Sequence, residues 1–178
     1  VLLSADDTTP TKLAQAGLAD AASQFTYATG RLVLWSPRAG YVDNQGQVLQ
    51  QATFGHLAIA NPKVAPYGKA AAQTLEKLGL RQSLASKLVQ GENISQTYQF
   101  VASGNAALGF IALSQVMENA SIRTGSAWLV PAALHSPIRQ NAIVLQRGQH
   151  NRTAQAVMEY LKSDKARDII RAYGYAFE

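Results

Sequence analysis

Cysteine is absent from all 178 residues of the chain. Disulfides, thiolate metal sites and cysteine nucleophiles are therefore excluded, while oxidising and reducing compartments both stay open. Charge is sparse: Asp, Glu, Lys and Arg make up 15%, against about 25% in ordinary soluble domains. Sixteen basic and 11 acidic residues leave a formal charge of +5. The basic residues are scattered (Lys12, Arg31, Arg38, Lys63, Lys69, Lys77, Arg81, Lys87, Arg123, Arg139). No run of them interleaves with aromatics, so no nucleic-acid groove is indicated. A mild positive field suits small anions, but solvated surface charge is the simpler reading. No apolar run approaches the ~18 residues of a membrane span. Val1 to Asp6 has no basic segment and is too short for a signal peptide. It reads as a buried strand, so residues are expected to be missing ahead of it.

Catalytic signatures are also lacking. His56, His135 and His150 stand apart, without the paired spacing or carboxylate neighbours of a metal site. His56 opens an apolar run and reads as a structural histidine. Asp6-Asp7 resembles a carboxylate pair but reads as a turn before a helix. No GxSxG, GxxxxGK[ST] or GxGxxG motif occurs, which leaves a serine nucleophile and a nucleotide site unsupported. The chain reads as a protein that performs no chemistry and carries no cofactor.

What is present is an alternation of strands and helices. Val1–Ala5, 25–28, 31–36, 56–60, 88–89, 107–113, 127–130 and 141–145 read as strands. Thr9-Pro10 gives a helix start that stops near Gly17. Residues 37–53 read as a loop or weakly structured crossover. Helices are expected over 69–78, 94–102 and in two C-terminal segments. Ala154, Val157, Met158 and Leu161 line one, and Ala166, Ile169, Ile170 and Tyr173 the other, at i, i+3, i+4, i+7. This alternation argues an α/β fold with largely parallel pairing.

Two segments carry binding chemistry. Asn61-Pro62-Lys63-Val64-Ala65-Pro66-Tyr67-Gly68 follows one strand, and Gly91-Glu92-Asn93-Ile94-Ser95 follows another. Each leads into an amphipathic helix. A helix start offers unbonded N–H groups and a partial positive charge, so two aimed at one place form an anion site from neutral amides. In the first, Tyr67 could present its N–H and close its phenol over a ligand, while Gly68 permits close backbone approach. In the second, Asn93 is the expected N-cap, leaving the Ile94 and Ser95 amides to donate. Many helices begin this way and bind nothing. Lys69 is a possible counter-charge but reads as a solvent-facing residue.

The same residues carry a resemblance. Val1-Leu2-Leu3-Ser4-Ala5-Asp6, Gly30 to Ser36, Asn61 to Gly68 and Leu88 to Ile94 are similar to the periplasmic molybdate-binding proteins, the substrate-binding components of molybdate ABC transporters. Val101 to Phe110, Tyr160 to Ser163 and Tyr173 to Tyr175 match as well. Each piece alone is unspecific, and their combination over nearly the whole chain is specific.

The resemblance implies a type II periplasmic-binding-protein fold: two α/β lobes joined by two hinge strands, closing on an oxyanion. It places 1–35 and 138–178 in lobe 1 and 36–137 in an inserted lobe 2. Tyr67 and Ile94 would donate backbone amides, with Gly68, Asn93 and Ser95 beside them. No side chain would ligate the metal, which enters as molybdate or tungstate. The implied partner is a membrane-embedded ABC permease, and the implied location the periplasm.

Two departures from the family stand out. Some relatives contribute a tyrosine hydroxyl from the strand matching 107–113, and here Ala112 holds that position. The family also begins with two βα units bearing hydroxyl donors, in an Ala-Ser-Leu-type and a Ser-rich loop. Neither is present, so on the order of fifty residues are expected ahead of Val1. Lobe 1 would then be incomplete, and the chain alone is expected to bind oxyanion poorly and to self-associate.

Two other functions fit an α/β chain with an anion site. A ligand-sensing domain of a transcription regulator predicts a helix-turn-helix upstream. A transferase with a phosphate site predicts a titratable residue beside the amides, and none is evident near Tyr67 or Ile94.

Overall fold

Strand β1 (Leu2–Ser4) and strand β2 (Phe25–Gly30) both pair antiparallel with β10 (Ile138–Ile143), elements being numbered in chain order. The result is a three-stranded sheet of order β1-β10-β2. The computed structural model describes residues 1–118 and 120–177. Helix α1 (Thr8–Gln15) follows β1. Its start is two residues earlier than the Thr9-Pro10 cap and N1 signature suggests, with Asp7 at the N-cap. Both oxygens of the Asp6 carboxylate are engaged there, by the Thr9 N–H and the Thr9 hydroxyl. Gly17, at φ +72°, ends the segment as expected.

Near the C-terminus, α5 (Arg152–Lys162) and α6 (Asp164–Ala172) complete this unit. Ala142, Val144 and Met158 form its small core, with Phe25, Tyr27 and Leu161 packed against it. Two expectations fail here. Leu3 is 51% exposed, so β1 is not the buried strand expected; among the described residues it lies at the edge of its sheet. Ile169 and Tyr173 of the α6 stripe are also exposed, at 47% and 57%. Ala166 is the residue of that stripe that packs fully. Periodicity identifies an apolar face but not whether anything covers it.

The chain divides into two compact units, Val1–Gly30 with Ile138–Glu178, and Arg31–Pro137. The first crossing therefore falls at Gly30/Arg31 and not after residue 35. The reason is β3 (Leu32–Ser36), which belongs wholly to the second unit's sheet.

That second unit contains α2 (Val48–Gln51), β4 (Leu57–Ala60), α3 (Pro66–Lys77), β5 (Leu88–Gly91), α4 (Ile94–Ala102) and β6 (Leu108–Ala112). The short β7 (Met117–Glu118) and β8 (Ser121–Ile122) pair with each other, and β9 (Ser126–Leu129) closes the main sheet. Strand order is β5-β4-β6-β3-β9. Among the described residues only β4–β5 and β4–β6 are parallel, while β3 pairs antiparallel with both β6 and β9. Parallel pairing is thus confined to the strands joined by helical crossovers, α3 and α4, which such pairing requires. This corrects the expectation of a largely parallel sheet.

Core residues explain the order. Val33, Trp35, Ala58, Ile111 and Val101 of α4 form one cluster, against which Tyr98 packs. The alternate residues Leu32, Leu34 and Phe110 are equally buried, so both faces of the central strands are covered. Trp35 stacks on Tyr98 at 5.6 Å between ring centroids and donates its indole N–H to the Thr124 carbonyl at 2.8 Å. Those two contacts fasten α4 and the segment before β9 to the same strand.

Candidate functional site

Ala60 and Gly91 are partners at the carboxyl ends of the parallel strands β4 and β5. One residue further, the Asn61 N–H still donates to the Gly91 carbonyl at 2.8 Å. The chain then leaves both strands at the same level and enters α3 and α4. Both segments singled out in the sequence therefore start from adjacent, in-register strand ends. Open α/β sheets bind ligands at this edge.

At the first segment, the Asn61 side chain accepts from the Lys63 N–H at 3.0 Å, and the Asn61 carbonyl from the Val64 and Ala65 N–H groups at 3.2 and 2.8 Å. This tight turn leads to Ala65, the extended N-cap, with Pro66 at N1. Helix α3 begins at Pro66, three residues before the expected start. Its first turn bonds through Lys69 N–H to the Ala65 carbonyl at 3.0 Å. Proline supplies helical φ where its missing N–H costs nothing. Gly68 permits the approach: an added Cβ would lie 2.6 Å from the Ala60 carbonyl carbon and 2.9 Å from that of Asn61. The first turn of α3 is thereby pressed onto the end of β4.

Tyr67 is buried, with 5% of its surface accessible. Its ring lies among the buried residues of the second unit. Lys69 is exposed, as its reading as a solvent-facing charge requires.

The second segment mirrors the first. Asn93 is extended at φ −145° and its side chain accepts from the Gln96 N–H at 2.9 Å, as an N-cap does. Thr97 donates to the Asn93 carbonyl through both N–H (3.1 Å) and Oγ1 (2.9 Å). The Gln96 side chain accepts from the Glu92 N–H at 2.7 Å. Cap and first turn thus account for Glu92, Gln96 and Thr97. The Ile94 and Ser95 amides lie between them, with no protein partner among the described residues. Gly91 plays the part of Gly68: an added Cβ would meet Thr97 Oγ1 at 2.8 Å and Thr97 N at 2.9 Å.

Ala112 ends β6 beside these two turns, and its methyl is buried. Sequence reading missed Gln115, three residues on. Its side-chain oxygen accepts from the Ala112 N–H at 3.0 Å, and its side-chain nitrogen donates to the Ile94 carbonyl at 3.1 Å. Its bond to Ala112 is local, but nothing local marks its bond to Ile94, which spans 21 residues.

Other residues weighed in the sequence lie elsewhere. His56 is exposed rather than packed into the strand it precedes, and His135 is buried with Nδ1 2.8 Å from the Ser136 carbonyl. Asp6 accepts from the Thr9 N–H in the first turn of α1, and Asp7, the N-cap residue, lies 3.7 Å from Arg139. Among the described residues, no group of three or more His, Cys, Asp or Glu could hold a metal ion. None of their helices is long and apolar enough to cross a membrane.

The arrangement offers backbone N–H donors at two adjacent helix starts. The chain is similar to several known solute-binding proteins. The family model described as bacterial extracellular solute-binding protein matches residues 1–176. The molybdate-binding protein ModA of Azotobacter vinelandii is 56% identical over all 178 residues, which cover 71% of that protein. The molybdate-binding protein ModA of Rhodobacter capsulatus is 47% identical over the same residues, which cover 69% of its length. The solved periplasmic molybdate-binding protein of Azotobacter vinelandii superposes with a TM-score of 0.94 at 42% identity, over 99% of this chain and 77% of that one.

Proposed function

We propose that this chain, which belongs to the family of bacterial extracellular solute-binding proteins, binds molybdate in the periplasm and delivers it to an ABC permease. Relatives named for molybdate binding, at 56% and 47% identity, support the ligand. Tungstate, a dianion of the same shape, is the second ligand of this reading. The observation that carries the proposal is the pair of helix starts leaving Ala60 and Gly91 side by side.

The chemistry follows from what amides can do. Backbone N–H groups only donate, so they match an oxyanion whose oxygens all accept. An anion that still carries a proton presents an O–H to donors that cannot accept it. Phosphate near neutral pH is such an anion, and molybdate is not. Hydrogen bonds to a charged acceptor contribute roughly 1.5–3 kcal/mol each. Helix starts add a partial positive charge without a fixed counter-ion. Keeping Lys69 in solvent favours release to the next carrier, because a buried ion pair is costly to separate.

In this reading Tyr67 and Ile94 supply the principal amides. Ser95 adds a third donor, Asn93 holds the α4 turn, and Gly68 sets the α3 turn against β4. The cargo's metal reaches the protein surrounded by its own oxygens and needs no protein ligand. Calorimetric titration of the full-length protein with sodium molybdate tests the assignment. A 1:1 isotherm supports it, and absence of heat with molybdate and tungstate alike removes it.

A further inference from the structure

Gln115 spends both halves of its side-chain amide on the edge where the helix starts converge. The acceptor end takes the Ala112 N–H at 3.0 Å, and the donor end reaches the Ile94 carbonyl at 3.1 Å. The first bond caps the short 3-10 turn Leu113–Gln115, and the second crosses to α4. Ala112 stands opposite Leu32 on β3, and the next sheet bond along that edge is Leu113 N–H to the Arg31 carbonyl. The Ala112 N–H points the other way, toward β4, whose pairing with β6 covers only Leu57–Leu108 and Ala58–Gly109. Beyond that point β6 keeps β3 but no longer pairs with β4, and on that side the Gln115 side chain takes the Ala112 N–H.

The far end of the bridge falls on a particular peptide unit. The Ile94 carbonyl and the Ser95 N–H belong to the same amide plane. A hydrogen bond accepted by the carbonyl polarises that unit and strengthens its N–H as a donor. The Ser95 amide has no protein partner among the described residues. The bridge also restrains the plane against rotation, which keeps the N–H aimed.

We propose that Gln115 is a positioning residue for anion binding: it ties the first turn of α4 to the end of β6 and polarises the peptide whose N–H, on Ser95, serves the ligand. This rests on the function proposed above. It assigns Gln115 no contact with the anion. It also gives a physical account of a site with alanine at the end of β6, where the strand contributes through the bridge it anchors and not through its own side chain.

The test uses the full-length protein and its Gln115→Met and Gln115→Glu variants, titrated with molybdate at several pH values beside the unsubstituted protein. Methionine keeps the volume and removes both hydrogen bonds. Affinity is expected to fall about tenfold, with the ligand-free melting temperature within a few degrees of the parent. Glutamate can accept from Ala112 at any pH but can donate to the Ile94 carbonyl only when protonated. Its deficit relative to the parent is therefore expected to shrink as pH falls from 7.5 toward 5, a trend a purely structural role would not produce. Parental affinity in Gln115→Met, or a glutamate deficit that does not change with pH, overturns the proposal. If the parent itself binds neither molybdate nor tungstate, the proposed function fails and this inference fails with it.

Discussion

Gly68 lies directly against the backbone carbonyl of Ala60, with no room between them for a methyl group. The neighbour is main chain, so it cannot swing aside as a side chain would. Gly68→Ala must therefore push the first turn of α3 away from the end of β4. The expected destabilisation is about 1–3 kcal/mol, as for other overpacked positions. Urea unfolding measures it. Molybdate affinity should drop at least about tenfold in the same variant, because the Tyr67 turn moves with the helix. Unchanged stability would mean that the close approach does not set the turn.

Asn93 separates capping from charge. Asn93→Asp retains an oxygen that accepts from the Gln96 N–H, so stability should be kept or slightly raised. It also puts a negative charge beside the Ile94 and Ser95 amides, and like charges brought together cost several kcal/mol. Asn93→Ala should lose about 1 kcal/mol of stability through the missing cap, with a smaller effect on binding. Paired melting and titration data distinguish these outcomes. An aspartate variant that binds molybdate as well as the parent would move the anion away from α4.

The Asp43 carboxylate accepts from three backbone N–H groups of its own loop. Burial on its own pushes its carboxyl up, but bonds from the Gln47, Gln45 and Val48 N–H groups together outweigh this and hold it below the ordinary range. A carboxyl depressed in the folded state contributes stability above its unfolded pKa, about 3.9. That contribution is lost as pH falls through the folded pKa. Asp43→Asn should therefore lower stability at pH 7, by roughly 1 kcal/mol on the scale of a lost cap, and flatten the loss between pH 5 and pH 3. Chemical unfolding at stepped pH reads both effects. Parallel curves for parent and variant would show that these three bonds do not discriminate between protonation states.

Much of the second unit was legible because its signals are local. Helix α4 occupies 94–102 as read, since Asn93 caps it, Thr97 and Val101 face the core, and Gly104 follows at φ +80°. Helix α3 starts three residues before the sequence pattern suggests, because lysine at 69 looks like a first exposed helical residue while Pro66 at N1 is equally regular. Strand direction was not legible. Leu34 pairs with both Phe110 and Trp128, and no short-range pattern announces partners so far along the chain. For α6, an apolar stripe was visible but its exposure was not, because exposure depends on what packs there. Gln115 was invisible for the same reason as the strand partners: an amide in a short turn says nothing about a carbonyl 21 residues away.

The central claim is that donor-only amides at two helix starts select a fully deprotonated tetrahedral dianion of molybdate size. Thermal unfolding of the full-length protein with molybdate, tungstate, sulfate and phosphate at equal concentration tests it most directly. Molybdate and tungstate should raise the melting temperature by about 5–10 °C at a hundredfold excess over Kd, with the shift growing with concentration. Sulfate and phosphate should leave it nearly unchanged. A shift with sulfate alone would contradict the account.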